Sequence, residues 1–265
     1  MDKRSKDLRR TVVDVIANDR RGHLGPAMSS IDIIRVLYDS FLQFRPEDPA
    51  WKDRDRFILS KGHGCLSLYS VLADKGFFPK DDLNSFCKFD SMFGGHPERG
   101  KVPGIEASTG ALGHGLPIAV GMALATRIRG KSHRIVVLTG DGEINEGSVW
   151  EAALSASKHN LSNLTVFIDY NKLQSYGPNN EVLNLEPLAD KWRSFGFSVQ
   201  EVDGHNIDDL ESLVSKLPLV NDKPTAIICH TVKGKGFHFA ENQTEWHHKS
   251  KISDLELEQM YECLC

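Results

Sequence analysis

Two short motifs at a fixed spacing constrain the fold more than any other feature of this chain. Gly140-Asp141-Gly142-Glu143 is followed, 30 residues after its aspartate (171 − 141 = 30), by Asn171-Lys172-Leu173. Each motif follows an apolar run rich in β-branched residues, at 134–139 and 164–168, which is typical of parallel strands buried on both faces. With a helix predicted over 148–159, the segment indicates a βαβ unit.

The ends of this unit predict a metal and diphosphate site. Both strands end at the same edge of the sheet, where open α/β sheets bind ligands, so Asp141 and Asn171 should converge there. Mg²⁺ prefers oxygen ligands and is usually shared between a few protein groups and substrate phosphates. We expect Asp141, the side-chain oxygen of Asn171 and the carbonyl of Leu173 to hold the metal. Gly142 would let the backbone approach a phosphate. Gly-Asp-Gly alone is common in ordinary turns, and the paired spacing is what favours a site.

Alternating helical and strand patterns along the rest of the chain predict one doubly wound α/β domain, with a mainly parallel sheet and helices on both faces. Helices are expected at 2–18, 29–43, 65–74, 115–129 and 207–216, and further strands at 56–59, 197–202 and 225–231. The Gly-, Pro- and Ser-rich segment 89–113 should be a long loop, and a loop of that length is usually functional.

These motifs together resemble the transketolases. The segments 140–143, 146–152 and 169–173 look like the family's thiamine diphosphate motif. Further segments match in the family's order over nearly the whole chain, at 22–25, 59–64, 95–98, 108–113, 203–205, 233–236 and 246–247. The resemblance implies the thiamine diphosphate-binding fold, specifically its diphosphate-binding domain. It also implies thiamine diphosphate as cofactor with Mg²⁺, for which Ca²⁺ or Mn²⁺ are alternatives.

The resemblance assigns roles to single residues. Those matching cofactor-binding positions are Lys61, His63, Gly110, Ala111, Leu112, Asp141, Gly142, Asn171, Lys233 and His247. Those matching the side where the sugar reacts are His23, His96 and His247, and imidazole suits proton exchange near neutral pH. For an isolated histidine a surface or core role is more common, and the alternative for Lys61 and Lys233 is that both are solvated.

A full-length transketolase resembling this chain would continue with a pyrimidine-binding domain and a C-terminal domain. Residues 1–265 are therefore expected to form a single diphosphate-binding domain, the N-terminal subunit of a split transketolase. With a C-terminal partner subunit, in a dimer of heterodimers, it would transfer a two-carbon ketol unit between sugars or sugar phosphates, from a ketose to an aldose. The chain should be inactive alone, because the family's glutamate that activates the aminopyrimidine lies in the second domain.

Two other functions stay open. One is a subunit of another thiamine diphosphate enzyme, resembling deoxyxylulose phosphate synthase or the α subunit of a 2-oxo acid dehydrogenase, although 61–64 and 246–247 favour transketolase. The other is a non-catalytic cofactor-binding subunit, against which the intact Asp141, Asn171 and motif histidines argue.

The composition of the chain limits the classes of partner that we expect and indicates a cellular location. A formal charge of −4 gives no reason to expect nucleic acid binding. No apolar run approaches the ~18 residues of a membrane span. The chain has 5 cysteines, an odd number without metal-ligand spacing, which indicates reduced thiols and a cytoplasmic location. Cys263 and Cys265 are expected to lie in a frayed C-terminal tail.

Overall fold

The computed structural model describes residues 1–20, 22–247, 249 and 251–265. Its strands are β1 (Arg56–Leu59), β2 (Ile135–Gly140), β3 (Leu164–Tyr170), β4 (Ser198–Asp203) and β5 (Thr225–His230). In this part of the chain they form one parallel sheet in the order β1-β2-β3-β5-β4. The predicted parallel sheet is confirmed, and the register pairs Gly140 with Asp169 at the end of the β2–β3 ladder.

Helices connect and cover these strands. They are α1 (Lys3–Asp19), α2 (Leu24–Val36), α3 (Cys65–Asp74), α4 (Gly115–Ile128), α5 (Gly147–Lys158), α6 (Asn179–Val182), α7 (Leu188–Ser194), α8 (Ile207–Val214) and α9 (Asp254–Cys263). A π-helix, Leu37–Phe41, continues α2, and short 3₁₀ turns lie at Gly62–Gly64, Lys80–Ser85, Glu143–Asn145 and Thr244–Trp246. None of the described helices is long and apolar enough to cross a membrane.

Two separate cores show that the helices lie on both faces of the sheet. Successive side chains of a strand point to opposite faces. On β2, Val136 and Leu138 pack with residues of α1, α2, α3, α8 and α9, whereas Ile135 and Val137 pack with residues of α4, α5 and α7. The doubly wound α/β class predicted from the sequence is therefore confirmed.

Most predicted elements are confirmed with ends shifted by at most two residues, and the described residues of 89–113 contain no helix or strand. Helix α2 is an exception, because it begins at Leu24 and not at 29. Its first turn contains Gly25 and Pro26, which are both unfavourable residues in a helix interior. A proline is tolerated in the first turn, however, because its missing N–H would have no partner within the helix there.

The expectation of a frayed C-terminal tail was wrong. Ser253 and Glu256 form a capping box at the start of α9, each side chain bonding the other's backbone N–H. Leu257 and Met260 are buried, and α9 packs against α1. The buried apolar side of this helix holds the end of the chain against the domain.

A buried ion pair joins α1 to α2. The guanidinium of Arg9, which is 0% exposed, donates to both carboxylate oxygens of Asp32 at 2.8 and 2.7 Å. Asp32 also bonds the Ser5 hydroxyl at 2.7 Å and the Nδ1 atom of His205 at 2.8 Å. Burial raises the pKa of Asp32, but Arg9 and then His205 outweigh burial and hold that pKa well below its usual range. The carboxylate is therefore ionised and fully bonded.

Arg9→Met should lower the free energy of unfolding by about 3–5 kcal/mol, because it leaves the Asp32 carboxylate buried without its main counter-charge. Urea denaturation of the purified chain measures this. Arg4→Met is the matched control, since Arg4 pairs with Asp39 and Asp74 at the surface with 39% of its side chain exposed. The control should cost at most about 1 kcal/mol, and equal losses in the two variants would contradict the prediction.

Candidate active site

The predicted site residues lie together at the carboxyl edge of the sheet. Lys61 and His63 follow β1, Asp141 and Gly142 follow β2, and Asn171 and Leu173 follow β3. Lys233 follows β5, and His23 immediately precedes α2. Parallel pairing places all these strand ends at one edge, so segments far apart in the sequence meet there.

Asp141 is a buried carboxylate surrounded by N–H donors. It is 2% exposed and accepts from the backbone of Gly142 at 2.7 Å, the backbone of Lys172 at 2.5 Å and the side-chain amide of Asn179 at 2.9 Å. Burial, and then the charge of Asp169, raise the pKa of Asp141 to about 6 although its three N–H donors oppose the shift. A bound cation would favour the ionised form, because an opposite charge nearby stabilises a carboxylate.

The residues around Asp141 fit a divalent cation. A carboxylate has roughly four lone-pair sites, so one is left beyond the three N–H donors that Asp141 accepts. The Asn171 side-chain oxygen accepts from Leu173 N–H at 3.1 Å and keeps a second lone pair. The buried oxygen of Asn179 has no hydrogen-bond partner among the described residues. These are hard oxygen donors of the type that Mg²⁺ and Ca²⁺ prefer.

The same described part of the chain holds no group of three or more His, Cys, Asp or Glu side chains placed to bind a metal. A metal at this edge would therefore depend on the amide and carbonyl oxygens of Asn171 and Leu173 as well as on Asp141.

Lys233 contacts the predicted metal site directly. Its ammonium donates to the Leu173 carbonyl at 2.6 Å and contacts Nδ1 of His247. Burial, and then the positive charge of Lys61, lower the pKa of Lys233 to about 8. The Leu173 carbonyl keeps a second lone pair for a metal ion, but the positive ammonium beside it opposes a second positive charge there.

The alternative that both lysines are solvated was wrong, since Lys61 is 1% and Lys233 2% exposed. The Lys61 ammonium forms an ion pair with Asp169 and donates to the carbonyl of Pro26 at 3.0 Å. Lys61 is thus bonded to buried groups of the domain itself. A contact between Lys61 and a cofactor stays a prediction.

The structure brings together the four histidines of the family-like motifs, which are His23, His63, His96 and His247. The ring centre of His23 lies 5.9 Å from that of His63, 6.5 Å from that of His96 and 6.5 Å from that of His247. The rings of His63 and His247 stack at 5.7 Å. Burial lowers the pKa of His63 well below its usual value, with Lys61 as the next cause, so this imidazole is neutral at neutral pH.

The cofactor loop predicted at 110–112 lies against this cluster. Gly110 has φ +133°, and a Cβ there would lie 2.9 Å from Cδ2 of His96, so the close approach requires glycine. Ala111 and Leu112 are exposed beside it. His96 is placed in turn by α3, because the Tyr69 hydroxyl lies 3.1 Å from the carbonyls of both Gly94 and His96.

Two buried carboxylates at the site were not assigned from the sequence. Glu143 accepts from the Ser60 hydroxyl at 2.5 Å and from the backbone N–H groups of Gly140 and Gly113, each at 3.0 Å. It thus ties the ends of β1 and β2 to the loop that contains Gly110. Burial raises the pKa of Glu143, and these donors oppose the shift.

Asp169 accepts from Lys61, Thr231 and Ser29, the last at 2.6 Å. Burial raises the pKa of Asp169, but Lys61 together with the Ser29 and Thr231 hydroxyls outweighs burial and leaves the pKa below its usual value. The sequence did contain a signal for Asp169, because it is an acidic residue at the end of the apolar run that forms β3. Such a residue is rarely fully buried without a partner.

Comparison with known proteins identifies the family. A family model described as the thiamine diphosphate-binding domain of transketolase matches residues 2–264. The chain belongs to this family, and the resemblance to transketolases is confirmed.

Two relatives are similar over most of their own length. An apulose-4-phosphate transketolase subunit from Actinobacillus succinogenes is 44% identical over 96% of this chain and 92% of the relative. A 6-deoxy-6-sulfo-D-fructose transketolase subunit from Clostridium sp. is 39% identical over 95% of this chain and 94% of the relative.

Solved transketolases share the fold. The transketolase from Leishmania mexicana superposes with a TM-score of 0.91 at 30% identity, over 98% of this chain and 40% of that one. The transketolase from Campylobacter jejuni gives a TM-score of 0.91 at 29% identity, over 99% of this chain and 42% of that one. The chain thus spans about two fifths of these solved proteins.

Glu143→Gln should lower the free energy of unfolding by about 1–3 kcal/mol, because a single amide oxygen cannot accept from both Gly113 and Gly140 and a buried donor is orphaned. Guanidinium denaturation measures the change. Glu151→Gln, an exposed change on α5, is the control and should stay within about 0.5 kcal/mol of the wild type. A Glu143→Gln chain as stable as this control would refute the role of Glu143.

Proposed function

We propose that this chain is the N-terminal subunit of a split transketolase, a single diphosphate-binding domain that works with a C-terminal partner subunit carrying the pyrimidine-binding domain. It transfers a two-carbon ketol unit from a ketose to an aldose, with thiamine diphosphate and Mg²⁺. The proposed assembly is a dimer of heterodimers in the cytoplasm, where a chain with an odd number of reduced thiols is ordinary.

The observation that carries this proposal is the meeting of two groups of residues at one sheet edge. Asp141, Asn171 and Leu173 provide hard oxygen donors, and His23 and His247 belong to the histidine cluster. The contact between Lys233, Leu173 and His247 joins the two groups. A metal-held diphosphate beside proton-exchanging imidazoles is what ketol transfer requires.

The named relatives support an enzyme that is built from separate subunits. Both are called transketolase subunits, and this chain covers 92% of the one from Actinobacillus succinogenes and 94% of the one from Clostridium sp.. The sugars in their names, apulose 4-phosphate and 6-deoxy-6-sulfo-D-fructose, are a sugar phosphate and a sulfonated sugar. They support a sugar or sugar phosphate as the substrate class for this chain.

When bound, thiamine diphosphate supplies a nucleophilic thiazolium carbon and an electron sink for cleavage of a carbon–carbon bond. The residues of this chain hold and polarise the reactants. Asp141 and the oxygens of Asn171 and Leu173 would hold the metal that neutralises the diphosphate.

The histidines supply the donors on the sugar side. His247 is held at Nδ1 by Lys233 and at Nε2 by the Ser175 hydroxyl, 3.0 Å away. This fixes the orientation of its ring. His96, exposed at the edge of the cluster, and His23 would donate to oxygens that gain negative charge and exchange protons with them.

Asp141→Asn should weaken Mg²⁺-dependent binding of thiamine diphosphate by about 100-fold or more, because it removes the charged ligand while keeping the size of the side chain. Titration calorimetry with thiamine diphosphate at saturating Mg²⁺ measures the affinity. Asp190→Asn, an exposed change in α7, is the matched control and should bind as the wild type does. Unchanged affinity in Asp141→Asn would contradict the proposed metal site.

The purified chain with thiamine diphosphate and Mg²⁺ should show no ketol transfer, and transfer should begin when a partner with the pyrimidine-binding domain is added. A coupled assay with a panel of ketose donors and aldose acceptors measures the rate. Turnover by the chain alone would contradict the need for a partner. Cofactor binding without turnover beside every such partner would favour a non-catalytic role instead.

A further inference from the structure

The motif Asp203-Gly204-His205 at the end of β4 forms a tightly packed turn outside the metal site. The Asp203 carboxylate accepts from the backbone N–H of His205 at 2.8 Å, and the Gly204 N–H donates to the His230 carbonyl at 2.9 Å. A Cβ on Gly204 would lie 2.4 Å from Cγ2 of Thr231, so only glycine fits. The turn thus fixes His205 beside the segment that follows β5.

Both nitrogens of the His205 ring have defined partners. The backbone N–H of Val232 donates to Nε2 at 2.9 Å, so Nε2 is the unprotonated nitrogen. Nδ1 therefore carries the proton and donates to the Asp32 carboxylate at 2.8 Å. Asp32 is held by the buried guanidinium of Arg9. The imidazole consequently links a rigid buried ion pair to one backbone amide.

Val232, whose backbone N–H bonds His205, immediately precedes Lys233 in the chain. Beyond β5 the chain leaves the sheet, and the contacts that hold it come from different elements. The Gly234 N–H donates to the Gly25 carbonyl at 3.2 Å, and the Lys233 carbonyl accepts from Asn242 N–H at 2.9 Å. The bond from Val232 to His205 sets the backbone on the other side of Lys233, whose ammonium reaches Leu173 and His247.

We propose that His205 is a positioning residue for Lys233. Through the Val232 amide it holds the lysine where its ammonium can exchange between the Leu173 carbonyl and a bound diphosphate. This rests on the proposed function as far as the diphosphate is concerned. The anchoring of the Val232–Lys233 backbone is a property of the chain itself.

Two substitutions separate the two sides of the ring. An asparagine amide takes the place of Nδ1, so His205→Asn keeps a donor for Asp32 and loses the acceptor for Val232. A glutamine amide reaches the place of Nε2, so His205→Gln keeps the acceptor for Val232. In the cofactor-free full chain, hydrogen exchange at 232–234 should speed up about tenfold or more in His205→Asn, with α1 and β2 unchanged, and stay near wild type in His205→Gln.

Binding of thiamine diphosphate with Mg²⁺, measured by calorimetry on the same proteins, should weaken about tenfold in His205→Asn and recover in His205→Gln, without following their melting temperatures. The reverse order of the two variants, or losses that follow melting temperature alone, would overturn the proposal. A wild-type Val232 amide that exchanges freely would overturn it even where a variant fails to fold. A wild-type chain that binds no thiamine diphosphate counts against the proposed function, and the exchange data still decide the role of His205.

Discussion

Parallel pairing of the strands is the constraint on which the rest of the structure depends. Each parallel strand must be reached by a crossover connection, so every strand begins at one edge of the sheet and ends at the other. The carboxyl ends of β1, β2, β3 and β5 therefore meet, and they bring Lys61, Asp141, Asn171 and Lys233 to one place. Residues separated by more than 100 positions share a site because the backbone hydrogen bonds leave no other arrangement.

The site contains several carboxylates that are buried away from water, and each of them accepts hydrogen bonds or an ion pair from neighbouring groups. Asp169 is paired with Lys61, and Asp141 accepts three N–H donors. Glu143 accepts two backbone N–H groups and a hydroxyl. Asp141 keeps a raised pKa in spite of its donors, whereas Asp169 does not, because only Asp169 has a full counter-charge. Asp141 has no such counter-charge, which agrees with the proposed role in binding a cation.

Much of the fold could be predicted because its signals are local. Apolar runs rich in β-branched residues indicate buried strands, as at 134–139 and 164–168. The start of α2 was placed at 29 and not at Leu24, and α9 was missed although Ser253 and Glu256 are a local signal of a helix start. In the site, the motif histidines and Asp141 were named from the sequence. Glu143, Asp169 and His205 were in recognised motifs but had no role, because their partners lie in other segments.

The sequence alone determined the family and the parallel α/β class, and it named the residues that are proposed to bind a metal and exchange protons. These follow from spacing and residue type along the chain. Only the tertiary structure decided which charges are paired, that Lys61 is bonded beneath the site, and that Lys233 contacts both Leu173 and His247. Such contacts join segments whose relative positions depend on the packing of helices on both faces of the sheet, and burial then sets the strength of each electrostatic interaction.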